Sequence, residues 1–134
     1  MNFRYPLIAA VILAVSACGA ASQGRNPTAI SSASASLWIK AESKPVVLDV
    51  RTSGEFADGH INGAKLIPWT DRDFETRASK ELDRSKPVLV YCRSGARSTA
   101  AAKKLASLGF TDVRNLEGGT LAWKKEGLPL TPSN

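Results

Sequence analysis

The chain has 134 residues, 22% of them charged, and a formal net charge of +6, which suits one globular domain of ordinary composition. Its basic residues are spread along the sequence, with pairs at Lys103-Lys104 and Lys124-Lys125 that suit solvated helix faces, and no aromatic interleaving or nucleic-acid motif accompanies them, so nucleic acid is excluded as a partner. One histidine and two distant cysteines, Cys18 and Cys92, make neither a zinc site nor a disulfide framework, and no cofactor is expected.

The N-terminus has the pattern of a targeting segment. Arg4 gives a short basic start, and Leu7 to Ala17 is an apolar run too short for an ordinary membrane span. Small residues at Val15-Ser16-Ala17 lead directly into Cys18. This resembles the signal of bacterial lipoproteins, which implies a signal peptide over residues 1–17, cleavage before Cys18 and lipidation of Cys18. The alternative is an ordinary secretory signal cut near Ala17 or Ala20. Either way the expected location is the cell envelope on the periplasmic side, held to a membrane if Cys18 is lipidated. Residues 18–27 are small and polar, with Gly24 and Pro27 as breakers, and are expected to form a flexible tether. With Cys18 lipidated, Cys92 would be the sole free thiol, with no resolving partner in the chain.

A domain is expected over 28–134. Its elements begin with a short strand over 28–31 and a helix over 34–41 carrying Leu37, Trp38 and Ile39. Val46 to Val50 is a continuous apolar run, the pattern of a strand buried on both faces. A short helix capped by Ser53 runs through Ala57, and a strand over 65–67 ends at Pro68. Helix 73–82, strand 88–91, helix 97–108 closed by Gly109, strand 112–116 and helix 120–125 complete the chain. Alternating strands and helices predict the α/β class: an open, mainly parallel sheet with helices on both faces. Ligands in such sheets bind beyond the carboxyl ends of the strands, where Asp49, Cys92 and Gly118 fall. A monomer is expected.

The chemistry is concentrated at Cys92-Arg93-Ser94-Gly95-Ala96-Arg97-Ser98. The run sits between a strand and a helix, so the thiol lies at a strand end and at the mouth of a helix N-terminus. A free thiol with a pKa of about 8.5 is only a few per cent ionised at neutral pH. A helix N-terminus and nearby cations favour the thiolate. Backbone N–H groups of such a loop turn inward to form an anion nest. Gly95 supplies the positive φ that the curl needs, Arg93 and Arg97 are suited to oxyanions, and Ser98 is placed to cap the following helix. Together Arg93, Ser94, Gly95, Ala96, Arg97 and Ser98 are the candidate substrate-binding residues around a catalytic Cys92.

At these residues the sequence resembles the rhodanese family of sulfurtransferases. The loop is similar to that family's Cys-x-x-Gly-x-Arg-Ser pattern. Val47-Leu48-Asp49-Val50-Arg51 resembles its strand-ending motif, and Glu55-Phe56-Ala57-Asp58-Gly59-His60-Ile61-Asn62-Gly63-Ala64 resembles the motif that follows. Leu66-Ile67-Pro68, Leu116-Glu117-Gly118-Gly119, Ala122-Trp123 and Gly127-Leu128-Pro129 continue the match in order. The resemblance implies a ping-pong reaction: Cys92 takes the outer sulfur of an anionic donor such as thiosulfate, becomes a persulfide, and passes the sulfur to cyanide or a thiol. The positive charge of Arg93 and Arg97 would stabilise departing sulfite. Four residues separate Cys92 from Arg97; phosphatase relatives of the family carry a longer loop, so phosphatase or arsenate reductase activity is disfavoured. A persulfide carrier serving a partner protein is the remaining alternative.

Asp49 and Arg51 are supporting residues, with a scaffolding ion pair expected, Arg51 to Glu55 being one candidate. His60 sits at a turn, where a stabilising hydrogen bond accounts for it better than general-base chemistry. Trp38 and Trp123 suit helix-to-sheet packing, Trp69 could border the site, and Arg72 and Arg77 belong on the surface. Gly118-Gly119 lets the backbone turn near the active loop.

Overall fold

The computed structural model describes residues 25–134. The targeting segment, Cys18 and most of the expected tether lie outside the described residues. Among the described residues, no helix is long and apolar enough to cross a membrane.

Strands β1 (Thr28–Ile30), β2 (Val46–Asp49), β3 (Lys65–Leu66), β4 (Val88–Tyr91) and β5 (Val113–Leu116) form one sheet in the order β1-β5-β4-β2-β3. Every pairing is parallel. Helices α1 (Ser32–Trp38), α2 (Ser53–Asp58), α3 (Phe74–Glu81), α4 (Ala96–Ser107) and α5 (Gly119–Lys125) connect them. The expected elements are all present, with ends displaced by a few residues. The largest displacement is in α1. Ser31 takes extended backbone, and its hydroxyl accepts from the Ser34 amide, so the helix starts before Ser34.

Side chains alternate along the central strands because successive Cβ atoms point to opposite faces. Leu48, Val50, Val88, Val90 and Cys92 face the layer that holds Phe74, Ala78, Ala101, Ala102 and Leu105 of α3 and α4. Val47, Leu89 and Tyr91 face the other layer, with Ala35 of α1 and Trp123 of α5. All four residues of β4 are buried, which explains why that strand reads as an unbroken apolar run. Trp123 is buried, and its indole N–H donates to Pro129 O at 2.9 Å. Trp38 is half-buried against the same layer, under the Arg114 guanidinium.

A polar cluster interrupts the second layer at the carboxyl end of β2. Asp49 is fully buried, and Arg51 is 5% exposed. Arg51 donates from its backbone N–H, Nε and Nη2 to the Asp49 carboxylate at 2.7–3.1 Å, and from Nη2 also to Gly59 O. Its guanidinium lies 5.5 Å from the centre of the Tyr91 ring. The Tyr91 hydroxyl accepts from the Ile61 amide at 3.1 Å, and burial pushes its pKa up. The candidate Arg51–Glu55 pair is therefore corrected: the partner of Arg51 is Asp49, two residues back on the same strand end.

A charge left alone at such depth is far more costly than an exposed one. Arg51→Ala is expected to lower unfolding free energy by about 3–5 kcal/mol, measured by denaturant unfolding; a loss below about 1 kcal/mol would show that the pair is dispensable to the fold.

Candidate active site

The Cys92 thiol follows the central strand and is 1% exposed. Its Sγ accepts from the Gly95 amide at 3.0 Å and from the Ser98 hydroxyl at 3.3 Å. The loop can curl this tightly because Gly95 has φ 108°, a conformation that a side chain would strain. Gly95 is also the N-cap of α4, and no side chain caps this helix. The expectation that Ser98 caps α4 is thus corrected. Ser98 lies within the helix, and its hydroxyl reaches Cys92 Sγ and, at 3.2 Å, Gly95 O. One hydroxyl carries one proton, and an anionic sulfur attracts it more strongly than a neutral carbonyl. Burial pushes the Cys92 thiol up, but the Ser98 hydroxyl and the amides of Ser98, Gly95 and Ser94 outweigh it, leaving the thiol below its ordinary value.

The far side of the loop rests on the Gly118-Gly119 turn. Thr120 N donates to Cys92 O at 2.9 Å, and Leu121 N donates to Arg93 O at 3.1 Å. A Cβ on Gly119 would stand 2.4 Å from Cys92 O and 2.5 Å from Arg93 O, at a φ of +57°. Only glycine fits against the loop there, so the turn fixes the height of the Cys92 backbone.

The two arginines are held differently. Arg97 donates from both terminal nitrogens to Glu55, at 2.8 Å each. Glu55 also accepts from Thr52 N and Thr52 Oγ1 at 3.0 Å, while Thr52 Oγ1 accepts from the Glu55 amide. This is a capping box whose carboxylate serves a second helix. The cap of α2 is Thr52, which corrects the assignment to Ser53. The Arg97 guanidinium, with smaller help from Thr52, draws the Glu55 carboxyl down to about 2. Arg93 is exposed, and no carboxylate lies within 4.0 Å of it among the described residues. Ser94 and Ala96 are also exposed on the loop.

The remaining sequence candidates lie outside this cradle. His60 Nδ1 is 2.9 Å from Phe56 O, its ring stacks on Phe56, and its backbone pairs with Thr131. It braces the α2–β3 turn. Trp69 packs edge-on against Phe74 at the margin of the first core layer. Arg77 is half-buried and bridges Glu81, Asp71 and Leu66 O, whereas Arg72 is exposed. Three residues escaped the sequence reading in their roles here: Thr52 and Glu55, which together anchor Arg97, and Thr120, which braces Cys92. The spacing Thr52-x-x-Glu55 announces a capping box. Nothing local announces its bond to a residue 42 positions away.

Fold and loop together define a single α/β domain that presents one activated cysteine at the carboxyl end of a parallel sheet. The rhodanese-like domain family matches residues 34–126, and the chain belongs to that family. Thiosulfate sulfurtransferase 16 (chloroplastic) of Arabidopsis thaliana is 41% identical over 91 residues, covering 61% of this chain and 76% of that protein. A sulfurtransferase of Allochromatium vinosum is 40% identical over 85 residues, covering 63% and 77%. The solution structure of a rhodanese-like domain from Anabaena superposes with a TM-score of 0.70 at 33% identity, covering 81% of each chain. That of the polysulfide-sulfur transferase homodimer of Wolinella succinogenes gives 0.67 at 29% identity, also covering 81% of each. Membership and these relatives support sulfurtransferase activity as the class of chemistry.

Ser98→Ala is expected to move the ionisation midpoint of Cys92 upward, read from ultraviolet thiolate absorbance as the difference from Cys92→Ala; an unmoved midpoint would mean the backbone amides suffice. The Glu55 carboxyl has a folded pKa below its ordinary 4.5. Its contribution to stability is therefore complete above about pH 4.5 and fades as pH falls through about 2. Glu55→Gln is expected to cost about 2 kcal/mol at pH 7, allowing for screening at this half-exposed pair, and much less near pH 2. Denaturant unfolding at both pH values checks this.

Proposed function

We propose that the protein moves a sulfane sulfur from an anionic donor to a thiophilic acceptor through a persulfide on Cys92. The observation that carries this reading is the thiol itself, buried at a strand end and yet favoured as an anion by directed donors. In the first half-reaction the Cys92 thiolate attacks the outer sulfur of a donor such as thiosulfate. The donor's S–S bond breaks, and sulfite leaves with the electron pair. In the second, cyanide or a thiolate attacks the terminal sulfur of Cys92–S–S⁻. The bond to Cys92 breaks, and the thiolate returns to its donors. Polysulfide, which the name of the Wolinella relative suggests, is a donor of the same kind.

Arg93 is the cation best placed to stabilise departing sulfite, because it is exposed on the loop without an ion-pair partner among the described residues. Arg97, which the sequence offered for the same task, has both terminal nitrogens committed to Glu55. That commitment also argues against a phosphatase, whose loop arginine must be free to grip a phosphate. We further place the domain on the periplasmic side of the cell envelope, tethered through lipid on Cys18; the support is the residue pattern at 15–18.

Intact mass of the protein before and after thiosulfate tests the mechanism. A gain of about 32 Da, one sulfur, lost on adding cyanide and absent from Cys92→Ala, is the expected result. An unmodified mass, with Cys92 still open to alkylation, would refute thiosulfate as donor and shift the chemistry to delivery by a partner.

A further inference from the structure

The Gly95 carbonyl faces more donors than it has lone pairs. Thr99 N donates to it at 3.0 Å, the Thr99 hydroxyl donates at 2.7 Å, and the Ser98 hydroxyl stands 3.2 Å away. A carbonyl oxygen has two lone pairs, and the two donors of Thr99 make the shorter contacts. The Ser98 proton is then left to Cys92 Sγ, at 3.3 Å. Ser98 is fully buried, and its hydroxyl reaches no third acceptor among the described residues. Filling Gly95 O therefore decides whether the sulfur keeps its hydroxyl donor.

The Thr99 hydroxyl has a proton of its own to direct. Thr99 is exposed, and a hydroxyl rotates to suit whatever acceptor is near, water included. Here Asn115 Nδ2, on β5, donates to Thr99 Oγ1 at 3.0 Å. A hydroxyl that accepts from one side keeps its proton for the other, and on that side lies Gly95 O. Asn115 is a costly residue at this place. Val113, two residues earlier, is buried in the layer that holds α4, and the period of the strand turns Asn115 to the same side. An apolar side chain would pack there without penalty. Asn115 Oδ1 is instead buried with no hydrogen-bond partner among the described residues, which lowers stability. Among those residues, the one hydrogen bond of this side chain is the bond to Thr99.

We propose that Asn115 and Thr99 are positioning residues for Cys92 that act through Ser98: the Asn115 amide aims the Thr99 hydroxyl at Gly95 O, and the filled carbonyl turns the Ser98 hydroxyl to the sulfur. The inference rests on the reading of Cys92 as the reacting group. Neither residue touches the sulfur, and no bond forms or breaks at either. Their effect is on the thiolate alone. With Gly95 O filled, the Ser98 hydroxyl has the sulfur as its one acceptor in every protonation state. With Gly95 O open, the hydroxyl can serve the carbonyl whenever the sulfur is protonated, which favours the thiol over the thiolate. The charged groups around the loop, the Asp49–Arg51 and Glu55–Arg97 pairs and Arg93, are untouched by changes at 99 and 115.

The test is the ionisation midpoint of Cys92 in the full chain, read from ultraviolet thiolate absorbance as the difference from the matching Cys92→Ala protein. Thr99→Val and Asn115→Leu are each expected to raise it by about half a pH unit. Thr99→Ser keeps the hydroxyl and is expected to hold the wild-type value. In a Ser98→Ala background, Thr99→Val and Asn115→Leu are expected to move the midpoint no further. Asn115→Leu is also expected to keep or raise the midpoint of denaturant unfolding, because it removes the orphaned oxygen. A residue that served packing alone would do the reverse, lowering stability and leaving the thiol unmoved. An unmoved thiol in Thr99→Val would overturn the relay, and so would a shift that persists without the Ser98 hydroxyl. An Asn115→Leu chain that does not fold would overturn the part given to Asn115, while Thr99→Val and Thr99→Ser still decide that of Thr99. None of these measurements uses a sulfur donor, so protein that fails to take sulfur from thiosulfate would refute the persulfide reading and leave the relay standing.

Discussion

A buried sulfur whose anionic form is favoured by directed donors is the constraint around which this domain is arranged. Cys92 is 1% exposed at the end of the central strand, and removing charge from water is costly unless directed donors replace it. The donors come from one curl of backbone and one hydroxyl, those of Gly95 and Ser98. Both depend on the chain leaving β4 and entering α4 within a few residues. The positive φ of Gly95 makes that possible from inside the loop. The absence of a side chain at Gly119 makes it possible from outside, because the α5 turn presses on the carbonyls of Cys92 and Arg93. Donor amides on one side and clamped carbonyls on the other hold the loop.

Two ion pairs then divide the electrostatic work. Asp49 and Arg51 are buried together beneath the loop, and their charges largely cancel where water cannot screen them. Arg51 also ties the strand end to Gly59 O, and Tyr91 reaches the neighbouring turn through Ile61. Glu55 and Arg97 join the start of α2 to the start of α4 nearer the surface. Such pairing neutralises Arg97 and restrains the first turn of the active helix. What remains without an ion-pair partner beside the loop, among the described residues, is the exposed Arg93, with Lys124 and Asp58 further along the same surface, so the charge left there comes from side chains that the two pairs do not cancel.

Much of this was legible in the residue order. The apolar run Val88–Tyr91, the loop glycine and the helix formers after it place the thiol where the structure has it, because strand, turn and helix signals are local. The buried run Val46–Val50 likewise announced a strand covered on both faces. Errors fell where local options were nearly equal. Thr52 and Ser53 are both competent caps, and only the reciprocal bonds with Glu55 select Thr52. Ser98 looked like a cap because serine so often is one, but glycine had already taken that position and freed the hydroxyl for the sulfur. Arg51 was offered Glu55 and found Asp49, which the strand end holds at closer range.

The sequence by itself determined the α/β class, the order of elements, the place of the candidate nucleophile at a strand end and the family to which the chain belongs, since each rests on periodicity, turn chemistry or a short motif. Tertiary structure alone decided which charges are cancelled and which stay open. Residues 51, 55, 58, 93, 97 and 124 are distant or ambiguous in sequence, and their pairing follows from how parallel strands bring separate loops to one end of the sheet. An ion pair depends on a few ångströms of separation and on the water left between the partners, and neither quantity exists until the chain has folded.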